Sequence, residues 1–290
     1  MSKSNGSDSL GLSLGRWFVG EGIEEHRTMK YENFGLISII MAAYNAEKTI
    51  GHSISSVLDQ TYPNFELLVV NDCSTDGTEK LVESFAAKDS RVRLISNEKN
   101  SGVSYTRKHG LEEAKGEWIA ILDSDDAWAP EKLEKQIALQ EKTNADLLFT
   151  GSTFVDADGQ PISWYLAAPA EVTYRRLLKQ NILSNSSALV RKELYAKHYA
   201  SGDGMHEDFA IWLSILKEGR KAYGVDAPLL IYRIAKSSKS GNKFKAAKMN
   251  WNTYRYVGLN PVSALYYECW YMVKGLLKYK NLKRVQENQK

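Results

Sequence analysis

The stretch Trp118-Ile-Ala-Ile-Leu-Asp-Ser-Asp-Asp126 sets five apolar residues directly against three carboxylates. A short run that is apolar throughout marks a strand buried on both faces, because a half-exposed strand would alternate. Polar residues crowded at its carboxyl end mark a sheet whose ligands bind beyond the strand ends. The same unit recurs three times upstream. Leu36–Met41, Phe65–Asn71 and Arg91–Ser96 read as apolar strands. Between the strands, Ala46–Gln60, Thr75–Ala87 and Val103–Ala114 carry apolar residues such as Ile50, Ile54, Val57 and Leu58 at helical spacing. Strand, crossover helix and strand in repetition define an α/β fold around a parallel sheet.

Each strand ends in a polar tail. The tails are Ala42-Ala-Tyr-Asn45, Asp72-Cys-Ser-Thr-Asp-Gly77, Asn100-Ser-Gly-Val103 and Asp123-Ser-Asp-Asp126. One such tail is explained by helix capping, since Asp, Asn and Ser cap helices for structural reasons. Four on one rim give a binding site.

Beyond Pro130 the pattern predicts a helix to about Thr143, a strand at Leu147–Thr150 and a hairpin turning at Asp158-Gly159. A strand near Ser187–Val190, a helix from close to Glu207 and a strand at Leu229–Arg233 follow. Two helices over Lys243–Lys278 break near Gly258–Pro261. Residues 1–35 read as a flexible arm, or as sequence upstream of a natural start at Met29. Residues 36–235 form the expected catalytic domain, with halves 36–130 and 131–235, and 236–290 form an extension.

The 290 residues carry a net charge of +3, which hides an asymmetry. Residues 236–290 hold twelve Lys and Arg against Glu268 and Glu287 alone, while the first 235 residues are net acidic. A basic segment interleaved with aromatic rings suits an anionic surface. No run of eighteen apolar residues occurs, so no bilayer span is expected. The two cysteines, Cys73 and Cys269, follow no metal-ligand spacing and read as free thiols of a reducing compartment.

Two carboxylates one residue apart at a strand end, Asp123 and Asp125, can face one divalent cation such as manganese or magnesium, a hard ion that takes oxygen ligands. Such an ion neutralises a diphosphate leaving group. Asp126 is a weaker ligand candidate, with an alternative as the cap of the helix after Pro130. A phosphatase would carry such a pair after its first strand, not its fourth. A dinucleotide oxidoreductase is excluded because Tyr44-Asn45, not a glycine-rich turn, follows strand one.

From Ser38 to Lys135 the chain resembles the second family of inverting glycosyltransferases, of the GT-A fold. The matching motifs are Ser38-Ile-Ile-Met-Ala-Ala-Tyr-Asn45, Asp72-Cys-Ser-Thr-Asp-Gly-Thr78, Asn100-Ser-Gly-Val103, the Arg107 region and Leu122-Asp-Ser-Asp-Asp126. The resemblance implies a nucleoside-diphosphate sugar as donor, with a uridine base suited to the site. It sets Tyr44 at the base, Glu47 at the nucleotide pocket and Asp72 on the base ring, which an aromatic face and a carboxylate acceptor serve chemically. Gly102 permits close backbone approach at a helix start that aims N–H groups at the donor. Arg107 matches an arginine near the phosphates, although Thr106-Arg107-Lys108 replaces the family's Ala-Arg-Asn. Asp123 and Ser124 fall near the ribose and metal, and Asp125 is the principal ligand.

Inverting transfer needs one general base for the acceptor hydroxyl. The resemblance assigns it to the Asp of a Glu-Asp pair, here Asp208, with Glu207 as runner-up. A helix start also favours acids for its dipole. His206 is left out as a lone histidine. Ser186, Ser187 and Arg233 resemble positions around the acceptor and diphosphate. Related bacterial enzymes build O-antigen, capsule or teichuronic acid on lipid-linked saccharides, which implies a cytoplasmic enzyme peripheral on the inner face of the membrane.

The extension offers Trp251, Tyr254, Tyr256, Tyr266, Tyr267, Trp270 and Tyr271 with Lys and Arg for interfacial contact. The simpler alternative is two helices packed on the domain. No nucleic-acid module accompanies the charge. The non-enzymatic rival is a sugar-nucleotide-binding or scaffolding protein of the same fold. Loss of the metal pair or the base would mark it, and both are present.

Overall fold

A computed structural model describes residues 34–202, 204–234 and 243–287, with side chains followed to Gly275. Nearly all of the expected arm lies outside these residues. The first half runs β1 (Ile37–Ala43), α1 (Ile50–Leu58), β2 (Phe65–Asn71), α2 (Thr78–Ala86), β3 (Val92–Ser96), α3 (Val103–Glu113), β4 (Trp118–Ile121) and β5 (Ala127–Trp128). There follow α4 (Lys132–Thr143), β6 (Leu147–Val155), β7 (Pro161–Leu166), β8 (Glu171–Val172), α5 (Tyr174–Leu178), β9 (Leu189–Arg191), α6 (Lys192–Lys197), α7 (Glu207–Lys217) and β10 (Ala222–Arg233). Two helices end the described chain, α8 (Lys243–Tyr256) and α9 (Pro261–Glu287).

The apolar runs become the sheet's centre. Every residue of β2 and β4 is buried, as is all of β1 except Ala42. β1 pairs in parallel with β2 on one side and β4 on the other, aligning Ile37 with both Phe65 and Trp118. Helix α3 presses onto this pair through Gly110, where a Cβ would sit 2.7 Å from Ile40 Cγ2.

The sheet order is β3-β2-β1-β4-β9-β6-β10-β5. The first four strands are parallel, β9 is antiparallel to both β4 and β6, and β6 and β10 run parallel. β5 follows the acidic tail yet pairs with Leu230 and Ile231 of β10, at the far end of that order. The loop Leu122–Asp126 therefore carries the chain from the β3-β2-β1-β4 side to the opposite end of the sheet.

Three details depart from the sequence reading. α1 starts at Ile50, after a turn in which the Ala46 carbonyl accepts from the Thr49 and Ile50 N–H groups while the N–H groups of Ala46 and Glu47 go to Thr78 and Asp76. β10 reaches back to Ala222, which pairs with Val172 of β8, and it follows β6 through register shifts between Val225 and Pro228 and between Pro228 and Leu230. Asp126 caps no helix: its Oδ1 accepts the Arg233 N–H at 3.0 Å, and α4 begins at Lys132 without a side-chain cap.

The extension's aromatics divide into two sets. Tyr254 is fully buried and donates to the Leu178 carbonyl at 2.7 Å, while Trp251, Tyr267 and Tyr271 pack against the main core. Tyr256, Tyr266 and Trp270 remain exposed, beside Val262, Leu265, Met272 and Val273. Among the described residues no helix is long and apolar enough to cross a membrane. Cys73 and Cys269 are free.

Candidate active site

The first two tails are stitched together by reciprocal bonds. Asn45 adopts φ 48°, a left-handed conformation that asparagine tolerates, and its Oδ1 accepts from the Thr75 N–H at 2.8 Å. Its own N–H goes to Ser74 Oγ, and Glu47 Oε2 accepts from the Gly77 N–H at 3.0 Å. Glu47 thus holds the second tail in place. Tyr44, between these anchors, is 51% exposed, so its ring faces solvent at the rim.

Asp72 organises the third tail. Its Oδ1 accepts from Asn97 Nδ2 and the Ser101 N–H, both at 2.8 Å, and its Oδ2 from the Gly102 N–H at 2.9 Å. Burial pushes this carboxyl up, but these bonds outweigh it and hold it below the usual range. Asn97 is a hub missed in the sequence, although its place just after β3 was a signal. It also donates to Thr106 Oγ1 and faces His109 Nδ1 at 2.7 Å.

Arg107 stands at the centre. Its Nη2 donates to Asp123 Oδ1 at 2.5 Å, and its Nη1 donates to Glu207 Oε1. Burial opposes its charge, but the two carboxylates outweigh burial and keep the guanidinium ionised. Arg107 therefore links the fourth tail to the start of α7. Asp208, the next residue, lies half-buried in the first turn of α7, its Oδ2 accepting from Asn181 Nδ2 at 3.3 Å. No sequence signal marked Asn181. The other carboxylate oxygen of Asp208, Oδ1, makes no hydrogen bond among the described residues.

The fourth tail is a cluster of like charges. Burial and then Asp123 push the Asp125 carboxyl up, and burial with Asp123 and Asp125 pushes Asp126 well up. The loop is pinned from beneath: Ser186 Oγ accepts the Asp123 N–H at 3.2 Å, and Ser53 Oγ donates to the Ser124 carbonyl at 3.0 Å. Arg233 Nε donates to the Asp125 carbonyl at 3.0 Å, and its Nη1 to the turn carbonyls of Asp156 and Ala157. Ser186 and Arg233 thus brace the acidic loop.

Among the described residues no group of three His, Cys, Asp or Glu side chains stands ready to hold a metal ion. The donor set nevertheless fits a divalent cation arriving with phosphate. Asp123 meets Arg107 through Oδ1 alone, the Asp125 side chain makes no ion pair among the described residues, and the neighbouring Asp126 Oδ2 is buried without a hydrogen-bond partner. Magnesium is held in this way, by one or two carboxylates with substrate phosphate and water.

A 3-2-1-4 parallel half, an acidic loop at its rim and an arginine joining that loop to a second acidic pair define a GT-A glycosyltransferase. The chain belongs to glycosyl transferase family 2, whose family model matches residues 38–198. It is 39% identical over 255 residues to UDP-Glc:alpha-D-GlcNAc-diphosphoundecaprenol beta-1,3-glucosyltransferase WfgD of Escherichia coli, covering 86% of this chain and 98% of that protein. It is 38% identical over 220 residues to TuaG of Bacillus subtilis (strain 168), named for teichuronic acid biosynthesis, covering 76% and 87%. Among solved structures it is similar to S. aureus TarS residues 1–349 in complex with UDP, with a TM-score of 0.60 and 25% identity over 79% of this chain and 68% of that one.

Proposed function

We propose that this glycosyltransferase acts by inversion, moving a sugar from a UDP-sugar to a hydroxyl of a lipid-linked saccharide in bacterial surface-polysaccharide synthesis. The observation that carries the reading is the Arg107 bridge, which ties the acidic loop to the turn bearing Asp208. In this reading Tyr44 packs on the base, Asp72 Oδ2 takes its ring N–H, and Glu47 and Gly102 shape the pocket. Asp123, with Ser124 beside it, and Asp125 would hold manganese or magnesium, which would supply the positive charge that a diphosphate leaving group needs. Asp208 Oδ1 takes the acceptor proton, and Asn181 orients the carboxylate through Oδ2. The names of WfgD and TuaG support the donor, the lipid-linked acceptor and the polysaccharide setting.

We further propose the division into a nucleotide half over 36–130, an acceptor half over 131–235 and an extension that touches an anionic membrane surface. The enzyme would then work at the cytoplasmic face. The test incubates purified protein with a panel of UDP-sugars, manganese or magnesium and lipid-linked acceptors, and follows UDP release and product. Asp208→Asn should bind UDP normally and lose about 100-fold or more in turnover. Near wild-type turnover by that variant removes Asp208 as the base.

A further inference from the structure

A strip of aromatic rings leads across three strands to the acidic loop. Phe154 of β6 is the register partner of Tyr232 on β10, and it also pairs across to Ile162 of β7. The Phe154 and Trp164 rings stack at 4.2 Å with 18° between planes, and the Phe154 and Tyr232 rings meet edge-on at 5.8 Å. Phe154 is buried, Trp164 is half-buried and Tyr232 is 39% exposed. A buried ring thus backs two rings that reach solvent.

The inner end of the strip is fixed at the site. Arg233, the residue after Tyr232, is bonded through its backbone to Asp126 and through Nε to the Asp125 carbonyl. Burial pushes the Tyr232 hydroxyl up, and Asp126, Asp123, Asp125 and Asp208 add to that push. Tyr232 thus sits one residue from the arginine that is bonded to the acidic loop.

We propose that Tyr232 and Trp164, backed by Phe154, form the platform that receives a pyranose ring of the acceptor. The C–H face of a sugar ring packs on the electron-rich face of an aromatic ring, while a phenol at the edge can bond a hydroxyl. The three rings carry no charge, which suits a sugar ring better than a phosphate. All three come from the 131–235 half, across the acidic loop from Tyr44 and Asp72, so they serve the acceptor rather than the donor. This assignment rests on the transferase reading above.

The test pairs two measurements on wild type, Tyr232→Ala, Trp164→Ala, Tyr232→Phe and Trp164→Phe. Calorimetry reads UDP binding, and saturation-transfer NMR in the presence of UDP reads contact with methyl glycosides of glucose, galactose, mannose and their N-acetylamino forms. At least one glycoside should show contact through its ring C–H protons. Each alanine variant should weaken that contact about tenfold while UDP binding is unchanged, and the phenylalanine variants should keep most of it. Alanine variants that retain the glycoside, or a wild type that binds UDP but no glycoside, overturn the platform alone. A wild type that binds no UDP overturns the transferase reading, and the platform with it.

Discussion

Arg107 and Glu207, a hundred residues apart in the chain, meet in a buried ion pair, and the other terminal nitrogen of the same guanidinium holds Asp123. Removing one member of such a pair strands a buried charge, which costs about 3–5 kcal/mol. Arg107→Ala should lose that much in urea unfolding. The double variant with Glu207→Gln should lose less than the sum of the two singles, with a coupling of about 1–3 kcal/mol. Additive losses would mean that solvent screens the pair.

β1, β2 and β4 were legible because burial on both faces leaves an unbroken apolar run, whereas β3, at the sheet's edge with only Val92 buried, was legible from its place in the repeat. The bridge was not legible. Arg107 could be aligned with a phosphate site, and Glu207 with a helix dipole, but neither position announces the other. Asp126 misled for a similar reason: a short acidic residue before a helix looks like a cap, and only the pairing of β5 with β10 brings the Arg233 N–H to it. The aromatic extension divided between core and surface because sequence gives the helical period without saying which faces are covered. Asn181 carried no pattern, since a single amide in a loop satisfies no periodicity.

Gly102 caps α3 at φ 83° and ψ 160°, and a Cβ there would meet nothing within 4 Å. The cost of a side chain is therefore backbone strain rather than collision. Gly102→Ala should destabilise the protein by about 1–3 kcal/mol. The loop also stands to lose the bond from the Gly102 N–H to Asp72. A urea midpoint equal to wild type would show that the loop relaxes freely into another conformation.

Glu268 faces α8 from α9, and burial pushes its carboxyl up to about 7 although Asn250 pulls the other way. Its Oε2 and the Asn250 Oδ1 are both buried without a donor, so a proton on Glu268 is what this interface lacks. Unfolded, the group ionises near its ordinary value of 4.5. Between those values the folded chain binds the proton more tightly, so the stability from this group is full below about 4.5 and lost as pH rises through about 7. Glu268→Gln should flatten that fall, which is on the order of 2 kcal/mol between pH 5 and 8. Urea midpoints at the two pH values, compared between wild type and variant, isolate this group from the carboxylates that act in the opposite direction.

Helix α9 has two apolar faces. Ala264, Tyr267, Glu268 and Tyr271 turn inward, while Val262, Leu265, Tyr266, Trp270 and Val273 recur at helical spacing on the outside. Lys179 lies over the Trp270 ring at 5.1 Å, which brings a cation to that outer stripe, and the extension as a whole carries its excess of positive charge. In the membrane contact proposed above, this helix would lie in the headgroup region, its outer rings among the acyl chain ends and its cations on anionic lipid. A second copy of the chain would instead have to bring two basic surfaces together. The protein should therefore float with phosphatidylglycerol vesicles, and less so as salt rises. Leu265→Glu with Val273→Glu should abolish flotation while leaving UDP binding intact. Equal flotation with neutral vesicles at high salt would remove the electrostatic part of this account, and concentration-dependent dimerisation lost in the same variant would give the stripe to a second copy instead.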